Sequence, residues 1–291
     1  MNIKNIVFEG GGVRGIAYGG AIEQLNNMEM LNTLENVAGS SAGAISACLL
    51  ALGAKPNDLS QLLKNINYRD FQDNQFGIIR DAFRFLSRFG WNPGSVFYEW
   101  IQYQIEDIAN LDPNITLLEL ENANVGPTLN VVSANITLGK STIFNYKNFP
   151  DLKVADAVRA SMAYPFFFTP IKINGCYYVD GGLLNNFPVK IFCDPQHTLG
   201  LNLHDEDSVL TEQDNEIAKV PIKTLIGFSK SIFMSVYANL QQTRVNDFDA
   251  DRIIPIFIGN IPVLKFDLSD EEIQFLIDAG RNSVIRYFEN K

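Results

Sequence analysis

Two strand–turn–helix units fill the first 55 or so residues, and they constrain the fold more tightly than anything else in the chain. "NIVFE" (5–9) is the short apolar run of a buried strand; it enters "GGGVRG" (10–15) directly, and "IAYGGAIEQLNNM" follows with helical spacing. "LENVAGS" (34–40) then reads as a second strand, and "AGAISACLLALG" as a helix closed by Gly53 and Pro56. Strand, glycine turn and helix, twice in succession, predict an α/β layer with parallel strands.

Downstream, the stretch from Leu59 to Ile108 reads as mainly helical, an insertion around 60–110 broken at "GWNPGS" by Gly90, Pro93 and Gly94. "TLNVVSANI" and "KSTIFNY" predict a strand pair, "VADAVRASMAYP" a helix stopped by Pro165, and "CYYVDGG" a strand running into a turn. "TLGLNL" is a core strand and the polar "HDEDSVLTEQDNE" a surface loop. Beyond it come the helix "IKTLIGFSKSIFMSVYANLQQTR", the strand "RIIPIFI" and a last helix with a capping box from Ser269 to Glu272. No internal repeat or low-complexity linker interrupts the chain. Residues 1–291 are therefore expected to form one domain, a motif-bearing core of 3–205 with a mostly helical part, 206–291, packed on it.

A formal net charge of −10 argues against a broad electrostatic grip on nucleic acid. Cys48, Cys176 and Cys193 lie far apart, without spacing for a disulfide framework or a zinc site. No secretory leader and no apolar run of spanning length is evident, so the two N-x-T matches at Asn114 and Asn135 carry no weight. A reduced, cytoplasmic setting is expected.

Gly39-Ser40-Ser41-Ala42-Gly43 fits G-x-S-x-G with Ser41 in the middle. A strand-to-helix turn sharp enough to expose a serine Oγ crowds its neighbours, so the positions two before and two after must be nearly bare. Ser41 would then stand at a helix N-terminus, where free amides and the dipole favour an oxyanion. Ser40 is expected to support it by hydrogen bonding. Gly10-Gly11-Gly12-Val13-Arg14-Gly15 satisfies G-x-G-x-x-G, the fingerprint of a dinucleotide-binding oxidoreductase. That reading wants an acid at the tip of the second strand, and Glu35 lies at the wrong end. As an oxyanion hole, the same loop would offer the amides of Gly11, Gly12 and Val13, with Arg14 bracing it or adding positive potential.

A serine nucleophile needs a base, and the chain has only two histidines, His197 and His204, both in loop or strand-end contexts. Asp180 is the other candidate, an acid ending an apolar strand before Gly181 and Gly182, which would let a substrate approach. An ordinary aspartate, with a pKa of about 3.9, is a poor base, so burial would have to raise it. Asp180 also suits a plain D-G-G turn.

Taken together, "GGGVRG", "GSSAG", "ASMAYPFFFTP" and "DGGLLNNFP" resemble, in order and separation, the four blocks of the patatin-like phospholipases of bacterial type; the weaker "FDLSDEEIQFLIDAG" is similar as well. The resemblance implies a three-layer α/β/α sandwich with a mainly parallel central sheet. It implies a Ser–Asp dyad, Ser41 and Asp180, with no histidine, metal or organic cofactor, and an oxyanion hole in Gly10–Gly15. It also implies hydrolysis of acyl esters in phospholipids or related lipids at a membrane interface.

Work at an interface draws attention to "FGIIRDAFRFLSRFGW". Arg80, Arg84 and Arg88 repeat along one helical stripe, with Ile79, Phe83, Leu86 and Phe89 on another face, as in a lid or membrane-facing helix. The three phenylalanines of "SMAYPFFFTP" fit an acyl pocket or plain core. A non-catalytic or partner-activated lipid-binding protein is the alternative from another class. Export as a bacterial effector is compatible with the missing leader.

Overall fold

A computed structural model describes residues 2–66, 89–205 and 250–290. The proposed arginine stripe at Arg80, Arg84 and Arg88, the helix expected over 222–244 and most of the acidic loop after His204 lie outside the described residues.

The two opening units form as expected. β1 (Asn5–Phe8) is wholly buried and passes through the glycine turn into a single 3-10 turn (Gly12–Ile16), then α1 (Ala17–Asn27). β2 (Asn36–Ser40) leads through Ser41 into α2 (Ala42–Ala51). Every residue of α2 is buried, as befits a helix apolar on all sides. α3 (Leu59–Lys64) and α4 (Ser95–Ala109) flank the undescribed segment. The break expected at "GWNPGS" is instead partly ordered, since β3 (Gly90–Asn92) is a short strand. α5 (Leu117–Ala123) opens with a capping box between Thr116 and Glu119. β4 (Thr128–Asn135) and β5 (Lys140–Phe144) form the predicted hairpin, and α6 (Val154–Ser161) ends ahead of Pro165.

Three short strands follow: β6 (Phe166–Phe168), β7 (Ile171–Ile173) and β8 (Cys176–Asp180). β6 pairs with β3 as a separate two-stranded sheet. Arg159, 2% exposed, fastens that small sheet, donating to the carbonyls of Pro93, Gly94 and Thr169. β9 (Thr198–His204), β10 (Ile253–Phe257) and α7 (Asp270–Glu289), with its capping box at Ser269 and Glu272, complete the described chain.

The main sheet runs β10-β9-β1-β2-β4-β8-β7, with β5 on β4. From β10 to β4 all neighbours are parallel, whereas β5, β8 and β7 are antiparallel additions. The fold is α/β with a mixed, mostly parallel sheet and helices around it. α2 packs on β2 and β4, and α7 packs on α1 and β10. The larger apolar cluster includes Ile6, Phe8, Val37, Val131 and Leu201, while Val7, Ala38, Phe187, Val189 and Ile253 form a smaller one. Along β1 and β2 the two clusters take alternate residues, hence opposite faces.

The register within β4 decides where the site lies. Val131 and Val132 pair with both β2 and β5, and Ser133 to Asn135 pair with both β5 and β8. β5 therefore holds one edge of β4 throughout, and β2 and β8 share the other, meeting end to end. Val132 faces Ser40 and the next residue, Ser133, faces Asp180. Topology alone brings residues 40 and 180 to adjacent rungs of one ladder. No helix among the described residues is long and apolar enough to cross a membrane.

Candidate active site

Ser41 sits between β2 and α2 with φ +52° and ψ −125°, a backbone state rare for any residue but glycine. The flanking glycines make that turn feasible. A Cβ on Gly39 would collide with the carbonyl of Gly43, and one on Gly43 would come within 2.5 Å of Phe8 O and 2.6 Å of Glu9 O. The bare positions required by the spacing are bare because the turn presses against its own helix on one side and the end of β1 on the other.

The Ser41 hydroxyl donates to Asp180 Oδ2 at 2.6 Å, and Gly182 N–H donates to Asp180 Oδ1 at 2.7 Å. Asp180 is 3% exposed, and burial pushes its carboxyl up to about 6, against a smaller downward pull from those two hydrogen bonds. Its backbone is fixed by a bond from its N–H to Ala163 O. The histidines stand elsewhere. His197 pairs with Asp194 at 2.7 Å, and the His204 ring lies by Phe257, its pKa lowered chiefly by burial.

Residues not singled out beforehand hold this pair in place. Ser161 accepts from Ser41 N–H at 2.9 Å and donates to Val132 O at 2.6 Å, which ties the turn to β4. Met162 brings its sulfur to 3.8 Å from Ser41 Oγ. Both lie in the "ASMAYPFFFTP" block, whose chemical signal is only a small polar residue at the end of an apolar helix. Glu9, fully buried, accepts from Asn186 Nδ2, Asn202 Nδ2 and Leu203 N–H, and Asn186 Nδ2 also reaches Gly10 O. Glu9 thereby joins the start of the glycine loop to the segment after Asp180. Replacing Ser161 by alanine leaves Ser41 N–H and Val132 O without their partner, so a loss of about 2 kcal/mol in unfolding free energy is expected by denaturant titration.

The glycine loop lies against the serine: a Cβ on Gly10 would be 3.1 Å from Ser41 Cβ, and one on Gly15 would be 2.9 Å from Ala42 Cβ. Two expectations need correction. Val13 N–H is not open, because it donates to Val263 O at 3.1 Å, and Gly10 N–H is held by Asn186 O. Gly11 and Gly12 donate to no group among the described residues. The Ser40 hydroxyl is buried and meets no hydrogen-bond partner among the described residues, so the supporting bond expected of it is not made there. Arg14 braces the loop, with Nε on Ile261 O at 2.6 Å and an ion pair to Asp205 at 3.1 Å. The phenylalanine run is divided: Phe168 is buried, Phe167 stacks on Phe266, and Phe166 is exposed. A cavity of about 690 Å³, lined by residues including Tyr178, Asn185 and Lys190, does not include Ser41 or Asp180. Among the described residues no group of three or more His, Cys, Asp or Glu is arranged to hold a metal ion.

With this geometry in hand, comparison with known proteins is decisive, since the profile described as patatin-like phospholipase matches residues 6–193. The chain belongs to the patatin-like phospholipase family. It is 25% identical to the uncharacterized protein R571 of Acanthamoeba polyphaga mimivirus, over 97% of this chain and 92% of the viral one. It is 31% identical to the probable lipid hydrolase 463L of Invertebrate iridescent virus 6, a match spanning 65% of this chain and 62% of that protein. Among solved structures, VipD from Legionella pneumophila superposes with a TM-score of 0.68 at 20% identity, covering 100% of this chain and 67% of VipD. That likeness supports the patatin-like fold expected from the four blocks.

Proposed function

We propose that this patatin-like protein is a phospholipase A or lysophospholipase type hydrolase that cleaves fatty-acyl esters through Ser41 and Asp180. The observation that carries the reading is the 2.6 Å bond from Ser41 Oγ to a buried carboxylate, made at a strained turn. Asp180 accepts the hydroxyl proton as Ser41 Oγ attacks the acyl carbonyl carbon. The Gly11 and Gly12 amides and the first amides of α2 stabilise the oxyanion, while Gly10, Val13, Arg14 and Gly15 hold the loop's shape. When the tetrahedral intermediate collapses, the C–O bond to the glycerol oxygen breaks and Asp180 returns its proton to that leaving oxygen. Water then attacks the acyl-enzyme along the same route, releasing fatty acid and restoring the serine.

The site lies outside the C-terminal ends of β1 and β2, and strand order runs away from β1 in both directions there, a favoured place for ligands in such sheets. A dinucleotide reading of the glycine loop has less support, since β2 ends in serines instead of an acid. We treat residues 1–291 as one catalytic unit because β10 extends the same sheet as β1. It would act peripherally on membranes from the cytoplasm.

The test is covalent. A phosphonylating reagent that mimics an ester should leave one adduct, located by mass spectrometry on the peptide containing Ser41, and Ser41→Ala should take up none. The same preparation should release fatty acid from phospholipid. Labelling elsewhere, or full hydrolysis by Ser41→Ala, would remove the assignment.

A further inference from the structure

Five large apolar side chains are each more than a third exposed: Phe89 (58% exposed), Leu138 (58%), Ile136 (48%), Phe166 (39%) and Tyr177 (36%). They are contiguous. The Phe89 ring meets Tyr177 edge-on at 6.2 Å, and Gly90, next in the chain, is in register with Phe166. Ile136 N–H donates to Tyr177 O, and Tyr177 N–H donates to Thr137 Oγ1, so the tip of the β4–β5 hairpin abuts the same rings. Isolated exposed apolar residues need no explanation, but a clustered patch marks a contact surface.

Two further observations say what it contacts. Phe89 and Phe166 both have left-handed backbones, φ +62° and +67°, which bulky side chains avoid. Strain of this sort is held in place by its surroundings and clusters at working surfaces. The charge pattern is equally uneven. No Asp or Glu occurs from Asn122 to Pro150 or from Ala157 to Val179, in a chain with 33 acidic and 23 basic residues. Lys140 and Lys172 fall within these stretches, the first exposed at the start of β5 and the second with Nζ 5.4 Å over the Tyr177 ring. An apolar, aromatic-rich tip whose segments 122–150 and 157–179 carry basic but no acidic side chains, on an otherwise acidic protein, is complementary to an anionic bilayer.

Its position suits that partner. Val132 stands opposite Ser40, and β4 continues three residues to Asn135, about 10 Å farther along the strand, with Ile136 next in the chain. The hairpin tip therefore projects beyond the sheet edge that carries Ser41 and the glycine loop.

We propose that Phe89, Ile136, Leu138, Phe166 and Tyr177, with Lys140 and Lys172, form the surface by which the protein seats on an anionic phospholipid bilayer. The choice of a bilayer rests on the acyl-hydrolase reading. Rings and aliphatic tips enter the interfacial region, where aromatic side chains are favoured, and the lysines sit at the level of the lipid phosphates. Each lysine near such a surface strengthens attachment about fivefold.

The experiment is co-sedimentation of the full-length protein with vesicles of phosphatidylcholine, alone or mixed with phosphatidylglycerol, alongside hydrolysis of a monomeric short-chain ester. One variant joins Phe89→Asn to Phe166→Asn, asparagine being at ease in the left-handed region. The other joins Lys140→Glu to Lys172→Glu. The unaltered protein should sediment with the mixed vesicles, and each double variant at least tenfold more weakly, with monomeric ester hydrolysis unchanged. An unaltered protein that ignores the mixed vesicles, or variants that bind as it does, would overturn the docking surface. Vesicle binding lost in both variants, from a protein that hydrolyses no ester, would support the surface and defeat the enzymatic reading instead.

Discussion

Asp180→Asn is expected to lower kcat by about four orders of magnitude while raising the stability of the fold at neutral pH. The first half follows from chemistry: an amide of the same shape keeps the Gly182 bond and the packing, yet it has no basic oxygen to take the Ser41 proton. The second half follows from burial. Asp180 binds its proton more tightly in the folded chain, with a pKa of about 6 against 3.8 unperturbed. The folded state therefore holds more protons between those values, and stability contributed by this group is full below about pH 4 and falls as pH rises towards 6. At pH 7 the ionised, buried carboxylate costs about 3 kcal/mol, and asparagine removes that cost. Thermal melts should place the variant several degrees above the parent at pH 7, with the gap closing near pH 4. On the same grounds, kcat/KM of the unaltered enzyme should rise with pH through about 6 as Asp180 loses its proton. An equal melting temperature at both pH values would deny the burial argument; a kcat within tenfold of the parent would deny the role of Asp180 as base.

In the proposed mechanism, that trade lets a chain with two histidines do without either of them beside the serine. Histidine serves as a base because its ordinary pKa lies near neutrality. Here an aspartate is moved towards the same range by desolvation, held back by the two hydrogen bonds it accepts. An apolar acyl chain covering the site would dry it further. In the proposed cycle, Asp180 is ionised at pH 7 before substrate binds; once covered, its proton affinity rises when the Ser41 proton must be taken up.

Much of this was legible because it is local. β1, β2, α1 and α2 announce themselves by short apolar runs that meet glycines and then change period. Ser41 was legible because steric crowding dictates the spacing of its glycines. The α5 capping box at Thr116 and Glu119 carried the same kind of signal as the one at Ser269 and Glu272, although no helix was assigned there. Other features depend on distant partners. β3, β6 and β7 are three residues each, too short for any alternation, and β3 and β6 exist through mutual pairing and the Arg159 clamp. That β8 enters antiparallel and abuts β2 on one edge of β4 is written in hydrogen-bond register, which no local pattern specifies. Val13 looked open from the glycine spacing because its acceptor, Val263, comes from 250 residues downstream in the sequence. Glu9 read as the polar end of a strand, and only the fold shows it collecting Asn186, Asn202 and Leu203.

Gly43→Ala is the second change from which a large effect is expected, and it separates the shape of the turn from its chemistry. The substitution suits a helix by intrinsic preference, since alanine exceeds glycine by about 1 kcal/mol in a helix interior. Here the new methyl would press on the carbonyl oxygens of Phe8 and Glu9 at 2.5 and 2.6 Å, both of them backbone atoms that no rotamer change can move. The start of α2 must then shift away from the end of β1, at a net cost of about 3 kcal/mol. Ser41 moves with it, because the serine is the residue immediately before α2 and its backbone is already strained. Displacement by about 1 Å lengthens the bond to Asp180 and turns the Gly11 and Gly12 amides off the oxyanion, which is expected to lower kcat about a hundredfold. Denaturant titration and steady-state hydrolysis of a monomeric ester read the two losses separately. If both remain near the parental values, the glycine is a helix residue like any other and the crowding argument for the motif fails. A loss of stability with unchanged kcat would mean that Ser161, through its bonds to Ser41 N–H and Val132 O, is enough to hold the serine in register while the helix gives way.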